Sequence, residues 1–410
     1  MTSPIILSAF LALAGDRWPE FRGPTADGHA AAGDPPVEWS EERHVAWKTP
    51  IHGRGWSTPV VWDGRAWMTT ADDGGHELSV VCVDVVTGAV LQDRVLFEVP
   101  KPQERMALNS YASPSAVIEQ GRVWVHFGAE GTACLDSETG RTLWERRDLR
   151  CEHGVGPGSS PVLHGGRLIF HVDGMDVQYV VALDKDTGET LWRTERSVDL
   201  SGKSPDTRKA FSTPILVTLE GRQQLISTGA DATMAYDPRD GSELWRVLFS
   251  GFSQSSRPVA AGGVVYLNTG YMRPELWAVR ADGEGDVTGS HVLWKRRRAV
   301  PTMPSPLVVG DRLFLTSDGG VVSCLVAASG EELWRERVGG QYSASLLLAA
   351  GRLYLCDREG LTTVIEPADE LKVLAENELD SGLMASPLVV GDALLLRTKT
   401  HLYRIEQTEG

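Results

Sequence analysis

The sequence predicts an all-β protein, an eight-bladed β-propeller of four-stranded antiparallel blades whose ring is closed by an N-terminal strand in the last blade. Three observations predict it. A serine-containing segment that leads into apolar residues occurs eight times, and a Gly turn follows each copy. A Thr-Gly, Asp-Gly or Ser-Gly turn followed by Leu-Trp recurs later in most units. No long segment has helical periodicity.

The first segment supplies the innermost strand of each blade. Its copies lie 40 to 55 residues apart, a period typical of four strands per unit. They centre on Pro59, Pro114, Pro161, Pro214, Pro258, Pro306, Leu346 and Pro387. The turns that follow, such as Asp63-Gly64 and Gly262-Gly263, contain glycine because two-residue hairpin turns need positive φ.

The second signature reads Leu-Asp-x-x-Thr-Gly-x-x-Leu-Trp. It spans Leu135 to Trp144 and again Leu183 to Trp192, with a variant from Tyr236 to Trp245. A shorter copy ends at Trp334, and a copy stretched by an insertion at residues 281–290 ends at Trp294. Thr-Gly predicts the turn between the third and fourth strands. The indole is expected to pack between adjacent blades, where a tryptophan buries a large apolar surface.

The strand count predicts how the ring closes. There are eight first-strand segments but only seven internal fourth strands, and the eighth unit stops near Gly410, where its Thr-Gly turn falls. The segment from His44 to Lys48 carries Trp47 without a preceding Thr-Gly. It is therefore expected to supply the outer strand of the last blade, which removes an open sheet edge.

The totals bound the function. The chain has 410 residues, 42% of them hydrophobic, and a net charge of −15, which disfavours nucleic acid as a partner. No apolar stretch is long enough for a transmembrane span. Residues 1–14 end an apolar run with small residues and predict a signal peptide. Residues 15–43 are then an N-terminal extension and 44–410 a single propeller.

These repeats resemble the pyrroloquinoline-quinone-like (quinoprotein-type) propeller family over residues 44–410. That family includes quinoprotein alcohol dehydrogenases and the propeller of the outer-membrane β-barrel assembly machinery. The segment Trp18–Pro24, WPEFRGP, is similar to the opening of an exported bacterial branch. The resemblance implies a non-catalytic ligand-binding or protein-interaction scaffold, periplasmic or secreted. It is expected to be a monomer and to bind an envelope protein, a polar small molecule or a glycan.

Strand order places the fourth-to-first connections and the second-to-third loops on one face, which we call the mouth face. The long connections Glu98–Ala112, Arg150–Ser159 and Val198–Ala210 follow blades 1 to 3, so they share one sector of the pore. The predicted ligand-binding residues of this face are Arg54, Trp56, Arg105, Asn109, Tyr111, His153, Arg208, Lys209, Phe211, Gln254 and Tyr342.

Two alternatives stay open for these residues. Arg105, Arg208 and Lys209 would hold a carboxylate or phosphate, or else form ion pairs with Asp72, Asp73 or Glu104. The ring of mouth residues would bind a ligand, or else only hold ordered water in the channel.

Two other functions compete with the scaffold. Quinone-dependent dehydrogenases of the family carry adjacent cysteines, a catalytic Asp and a calcium-binding Glu or Asn beside pyrroloquinoline quinone (PQQ) and calcium. This chain has no Cys-Cys pair, so no catalytic residue is assigned and no cofactor is expected. A glycan binder would use Trp56, Tyr111, Phe211 and Tyr342 as stacking platforms. Asp72-Asp73 and Asp173–Asp176 lack full calcium-loop spacing, so no metal ligand is predicted.

Overall fold

The computed structural model describes residues 16–408, which form eight β-sheets arranged as the blades of a propeller. The predicted signal peptide, residues 1–14, lies outside the described residues. Within each blade the strands follow one another as antiparallel neighbours from the pore outward, so the connections alternate between two faces. Two short 3₁₀ turns, Gly128–Glu130 and Pro205–Thr207, interrupt the loops.

The first half of the ring contains the opening strand and blades 1 to 4. The opening strand is Val45–Pro50 (β1). Blade 1 contains Val60–Trp62 (β2), Arg65–Ala71 (β3), Glu77–Asp84 (β4) and Val90–Glu98 (β5). Blade 2 contains Val117–Glu119 (β6), Arg122–His126 (β7), Thr132–Asp136 (β8) and Thr142–Arg146 (β9). Blade 3 contains Val162–His164 (β10), Arg167–Asp173 (β11), Gln178–Asp184 (β12) and Thr190–Glu195 (β13). Blade 4 contains Ile215–Leu219 (β14), Arg222–Gly229 (β15), Ala232–Tyr236 (β16) and Glu243–Leu248 (β17).

The second half of the ring follows the same order. Blade 5 contains Val259–Ala261 (β18), Val264–Asn268 (β19) and Leu276–Arg280 (β20), then Gly285–Asp286 (β21) intervenes before its outer strand Val292–Arg296 (β22). Blade 6 contains Leu307–Val309 (β23), Arg312–Thr316 (β24), Val321–Val326 (β25) and Glu332–Arg337 (β26). Blade 7 contains Leu347–Ala349 (β27), Arg352–Cys356 (β28), Leu361–Glu366 (β29) and Lys372–Glu378 (β30). Blade 8 contains Leu388–Val390 (β31), Ala393–Arg397 (β32) and His401–Ile405 (β33).

The ring closes as the strand count predicts. Strand β1 pairs antiparallel with β33, so that Lys48 lies opposite Tyr403, and the last sheet has the order β1-β33-β32-β31. The eighth blade therefore combines one strand from the N-terminal part of the chain with three strands from its C-terminal part. This confirms the predicted closure of an eight-bladed ring.

The repeated tryptophans join neighbouring blades. Trp47 of blade 8 donates its indole N–H to Val85 O of blade 1 at 3.0 Å, and Trp144 of blade 2 donates to Lys185 O of blade 3 at 2.9 Å. The indole lies so close to the Thr-Gly turn that a Cβ on Gly188 would sit 2.7 Å from Trp144. The turn therefore needs glycine both for its positive φ and for the tryptophan that packs on it.

One predicted first strand is out of register by two residues. Val117 pairs with Trp124 as Val60 pairs with Trp67, which puts Ala116, not Pro114, at the position of Pro59. In blade 5, the insertion at residues 281–290 does more than lengthen a loop. Its strand β21 pairs in parallel with β17, so blade 4 gains a short fifth strand.

The N-terminal extension crosses the pore on the face opposite the mouth. Trp18 exchanges two backbone hydrogen bonds with Val61 of blade 1, at 2.9 and 2.8 Å. Further along, Ala30 donates to Leu348 O of blade 7 at 2.9 Å, and the Asp34 amide donates to Asp392 of blade 8 at 2.8 Å. Between these points Phe21 O accepts from Arg257 of blade 5, and Arg22 donates to Pro306 O of blade 6. Because the segment contacts blades on both sides of the pore, it covers that end of the channel.

Candidate functional site

A cavity of about 570 Å³ opens on the mouth face at the centre of the ring, and we call it the mouth cup. Hydroxyl groups line its lower part and apolar side chains its upper wall. The apolar wall consists of Trp56, Met106, Leu108, Phe211, Phe252, Tyr271, Met303 and Met384. This combination of an apolar wall and convergent polar groups is typical of a ligand-binding cavity.

A ring of hydroxyls, which we call the hydroxyl crown, joins the first strands of the blades at the bottom of the cup. Each hydroxyl accepts a hydrogen bond from the backbone N–H at the same repeat position of the preceding blade, at 2.9 to 3.1 Å. Its members are Thr58, Ser115, Ser160, Thr213, Ser305, Ser345 and Ser386. The crown thus satisfies buried amides that no sheet ladder reaches.

Blade 5 departs from the crown, because Arg257 takes the position of the hydroxyl. Its buried guanidinium donates to Pro214 O at 2.9 and 3.1 Å and to Phe21 O, and it pairs with Glu20 at 3.3 Å. Arg257 therefore anchors the N-terminal extension inside the pore. The Phe21 side chain above it lines the mouth cup, so the extension forms the floor.

A second buried arginine stabilises the same floor. Arg22 donates from one Nη to Pro306 O at 2.7 Å and from the other to Asp27 O. Burial, together with a smaller contribution from the charge of Arg257, lowers the pKa of the Arg22 guanidinium to about 9. Two cationic side chains thus lie directly beneath the cup.

The cup itself is lined by four charged residues, and three of them are engaged. Lys209 is buried and pairs with Asp206. The Asp318 carboxylate accepts from the Thr302 amide and hydroxyl, each at 2.7 Å, and from the Met303 amide at 3.1 Å. The fourth is Arg358.

Arg358 lies in the loop between β28 and β29. Its Nε donates to Ser343 Oγ at 2.7 Å and one Nη donates to Tyr342 O at 2.9 Å. Among residues 16–408, no carboxylate lies within 4.0 Å of its guanidinium. Arg358 is thus a half-buried cation in the cup without an ion-pair partner.

Four of the eleven predicted binding residues line the mouth cup: Trp56, Asn109, Lys209 and Phe211. The other seven lie around or beneath the mouth without lining it. They are Arg54, Arg105, Tyr111, His153, Arg208, Gln254 and Tyr342. The residues that sequence reasoning missed are Arg358, Asp318, Phe21 and the crown itself.

The polar side chains of the long loops form hydrogen bonds with the backbone of those loops. Asn109 donates to Val155 O at 2.9 Å and Pro157 O at 3.1 Å. Arg105 donates to Asn109 O at 3.1 Å and lies 3.7 Å from Asp73. Arg208 donates to Lys203 O at 2.7 and 3.0 Å. For Arg105, the structure therefore shows the ion-pair alternative, with Asp73.

The aromatic residues considered as stacking platforms are mostly covered. Tyr342 is buried, and Arg105 lies over the ring of Tyr111 at 5.3 Å from its centroid. Arg54 covers Trp56 in the same way at 5.0 Å. Because these aromatic faces are occupied, the geometry gives little support to a glycan-stacking surface.

Gln254, another of the predicted binding residues, is fully buried and donates to Thr269 O at 3.1 Å.

His153 belongs to a separate buried pocket between blades 2 and 3. This pocket, of about 30 Å³, has His126, His153 and His171 in its wall and is large enough for one water molecule. Burial lowers the pKa of His126 to about 3 and those of His153 and His171 to about 4. Asp173, considered from the sequence as a calcium ligand, pairs with Arg196 at 2.6 Å.

The residues present do not fit a quinone with calcium. Within residues 16–408, no group of three or more His, Cys, Asp or Glu side chains is placed to hold a metal ion. The two carboxylates of the cup already accept hydrogen bonds from Lys209, Thr302 and Met303.

Within residues 16–408, no helix has the length and apolar character needed to cross a bilayer.

These features define a propeller of the quinoprotein type with one open cup and a covered far end. The sequence profile described as outer membrane protein assembly factor BamB matches residues 33–175 and 176–410, so the chain belongs to that family. Its similarity to BamB of Yersinia pestis is 22% identity over 282 residues, covering 56% of this chain and 70% of the relative.

Solved structures agree with the fold. BamB from Moraxella catarrhalis superposes with a TM-score of 0.62 and 13% identity, covering 88% of this chain and 99% of that one. A europium-containing methanol dehydrogenase superposes with a TM-score of 0.57 and 12% identity, covering 95% and 90%. At such identities the likeness concerns the fold alone.

Proposed function

We propose that this protein is a non-catalytic interaction scaffold of the bacterial envelope that binds a segment of a partner protein in the mouth cup. The observation that carries the proposal is the cup with its exposed apolar rim. Met106 and Tyr271 are each 52% exposed and Met272 is 73% exposed. Apolar side chains grouped around a cavity on an otherwise acidic protein are typical of an interaction site.

Membership of the BamB family supports the envelope and the scaffold role. The matching profile is described as an outer-membrane assembly factor, and the Yersinia pestis relative carries the same name. The periplasmic or secreted location predicted from residues 1–14 remains part of this proposal. Quinone-dependent oxidation has no comparable support, because both carboxylates that line the cup are already engaged by protein donors.

Site-specific crosslinking tests the scaffold. A photo-reactive amino acid replaces Tyr271 at the rim in one variant. In the matched control it replaces Val86, which is 74% exposed on the opposite face of blade 1. In envelope extract we expect discrete adducts from position 271 and none from position 86. Adding Phe252→Asp, which places a charge on the cup wall, is expected to suppress the adducts. Equal labelling from both positions, or none from 271, contradicts the proposal.

The oxidoreductase alternative has its own test. Purified protein is mixed with pyrroloquinoline quinone and calcium, and absorbance and thermal shift are followed. We expect no calcium-dependent spectral change and no turnover with alcohols. A calcium-dependent quinone spectrum together with turnover would replace the scaffold by an enzyme.

A further inference from the structure

We infer that the mouth cup recognises a carboxylate at the end of an apolar chain, with Arg358 as its counter-ion and the hydroxyl crown as additional donors. This inference deepens the proposed function, since it rests on the cup being the binding site. It is carried by three features of the cup, which are its free hydrogen-bond donors, its unpaired charge and its apolar wall.

The crown presents donors to the cup. Six of its hydroxyls line the cavity, and that of Thr58 donates to Ser386 O at 3.4 Å. The other five are those of Ser115, Ser160, Thr213, Ser345 and Ser386. Each already accepts a backbone N–H, and within residues 16–408 none of them donates to a protein acceptor. A hydroxyl has one proton to donate, so these five protons are available to a ligand. A ligand rich in acceptors satisfies them, and a carboxylate accepts without donating.

Arg358 supplies the matching charge. Its guanidinium has five N–H donors, of which Ser343 Oγ and Tyr342 O use two, and Met303 Sδ lies 3.9 Å from one Nη. Of the two carboxylates that line the cup, Asp318 is the one whose charge acts on Arg358, and its oxygens are held by Thr302 and Met303. Because Arg358 forms no ion pair within the described chain, its charge is available to an incoming anion.

The floor adds to the preference for an anion. Arg22 and Arg257 lie buried beneath Phe21. The Glu20 carboxylate lies 3.3 Å from Arg257, and the charge of Asp27 acts on both arginines. A third buried arginine, Arg397, donates to Ser57 and to Thr69 O at 2.5 to 2.8 Å, and it has no ion-pair partner among the residues that the structure describes. Charges in a low-dielectric interior act over longer distances than charges in water, so these buried arginines add to the attraction that Arg358 exerts on an anion.

The wall determines what carries the carboxylate. Met303, whose Sδ lies 3.9 Å from Arg358, and Met384 line the cup together with Phe211 and Phe252. Methionine adapts to irregular apolar partners, which suits a flexible chain. The C-terminal residues of an apolar peptide and a fatty acid share this chemistry.

Calorimetric titration of the purified full chain tests the inference with two pairs of probes. One pair is an apolar hexapeptide with a free C-terminal carboxylate and the same peptide as its C-terminal amide. The other pair is decanoate and decanol. We expect each acid to bind about tenfold more tightly than its neutral partner, as a charged hydrogen bond predicts.

Variants connect that preference to Arg358. In Arg358→Gln the acid and its neutral partner are expected to bind equally, and in Arg358→Lys about half of the preference in free energy is expected to remain because the charge stays. Arg208→Gln is the matched control, since Arg208 lies on the same face but does not line the cup. It is expected to retain the full preference.

The outcomes separate the two proposals. Equal binding of acid and neutral probes by the unaltered chain, or a preference that survives Arg358→Gln, overturns the carboxylate site. Should crosslinking from position 271 succeed in that case, the scaffold stands with another mode of recognition. Should carboxylates bind while crosslinking fails, the cup takes a small acid and the protein partner is wrong. Preference for the peptide acid over decanoate identifies a chain terminus as the source.

Discussion

The mouth sector of blades 1 to 3 and the sector of blades 6 to 8 across the pore differ in how their polar groups are used. The first sector has the long loops, and its arginines and amides bind backbone carbonyls of those same loops. The second has short loops, yet it holds Arg358, a cation with no ion-pair partner among residues 16–408. A long loop has many backbone groups that need hydrogen-bond partners, so its polar side chains bind those groups and are not available to a ligand.

The largest expected effect concerns acid stability of the long-loop sector. The pKa values of His126, His153 and His171 lie below those of the unfolded chain, so protonation favours unfolding. Their stabilising contribution is present above about pH 6.5 and is lost as the pH falls towards 4. Between pH 6.5 and 5 we expect a loss of up to about 2 kcal/mol per histidine. Burial raises the pKa of Glu130, which offsets part of this loss.

Thermal unfolding between pH 7 and 5 checks this expectation. His171→Gln is expected to flatten the dependence, because one buried imidazole no longer titrates. A melting temperature that is constant from pH 7 to 5 would show that these imidazoles are protonated as readily in the folded chain as in the unfolded chain.

The next effect is the loss of one loop anchor. Asn109→Ala removes the amide that joins Val155 O and Pro157 O and the carbonyl that accepts from the Ser110 amide at 2.8 Å. We expect a loss of about 2 to 3 kcal/mol, because partly buried backbone groups are left without partners. The measurement is the melting temperature, accompanied by faster hydrogen exchange in residues 150–159. A variant as stable as the natural chain would mean that the loops hold themselves without Asn109.

The smallest effect on stability is expected at Arg358. Arg358→Gln is expected to lower the free energy of unfolding by about 1 kcal/mol, because it loses the hydrogen bonds to Ser343 Oγ and Tyr342 O but no ion pair, and glutamine keeps part of the side chain. Chemical denaturation beside Asn109→Ala makes the comparison direct. If Arg358→Gln destabilised as much as Asn109→Ala, the two sectors would not differ as described.

The fold was predictable because its signals repeat. The docking of Trp144 on the turn of Gly188 recurs around the ring, so single irregular copies do not hide the pattern. The error in blade 2 arose because the sequence offers Pro114 at a plausible spacing while pairing of Val117 with Trp124 fixes the register. The two possible registers differ by two residues, so both place the same side chains on the same face of the sheet. Only the strand pairing in the structure distinguishes them.

The candidate site was less predictable. The crown had a signal in the sequence, because the residue before Pro59, Pro161, Pro214, Pro306 and Pro387 is serine or threonine in every case. Arg358 had none. Whether a cation is free depends on which carboxylates and carbonyls the fold brings near it, and Arg105 and Arg358 look alike in the sequence. For the same reason, loop length pointed to blades 1 to 3 as the binding sector, whereas the cation without an ion-pair partner lies in the sector of blades 6 to 8.

The most direct test of this account is a crystal structure of the full chain with the apolar hexapeptide acid. We predict density in the mouth cup with a carboxylate within hydrogen-bond distance of the Arg358 guanidinium and of Ser345 or Ser386, while Asn109, Arg105 and Arg208 keep their loop contacts. A carboxylate bound instead at Arg105 or Arg208, with those loops rearranged, would contradict it.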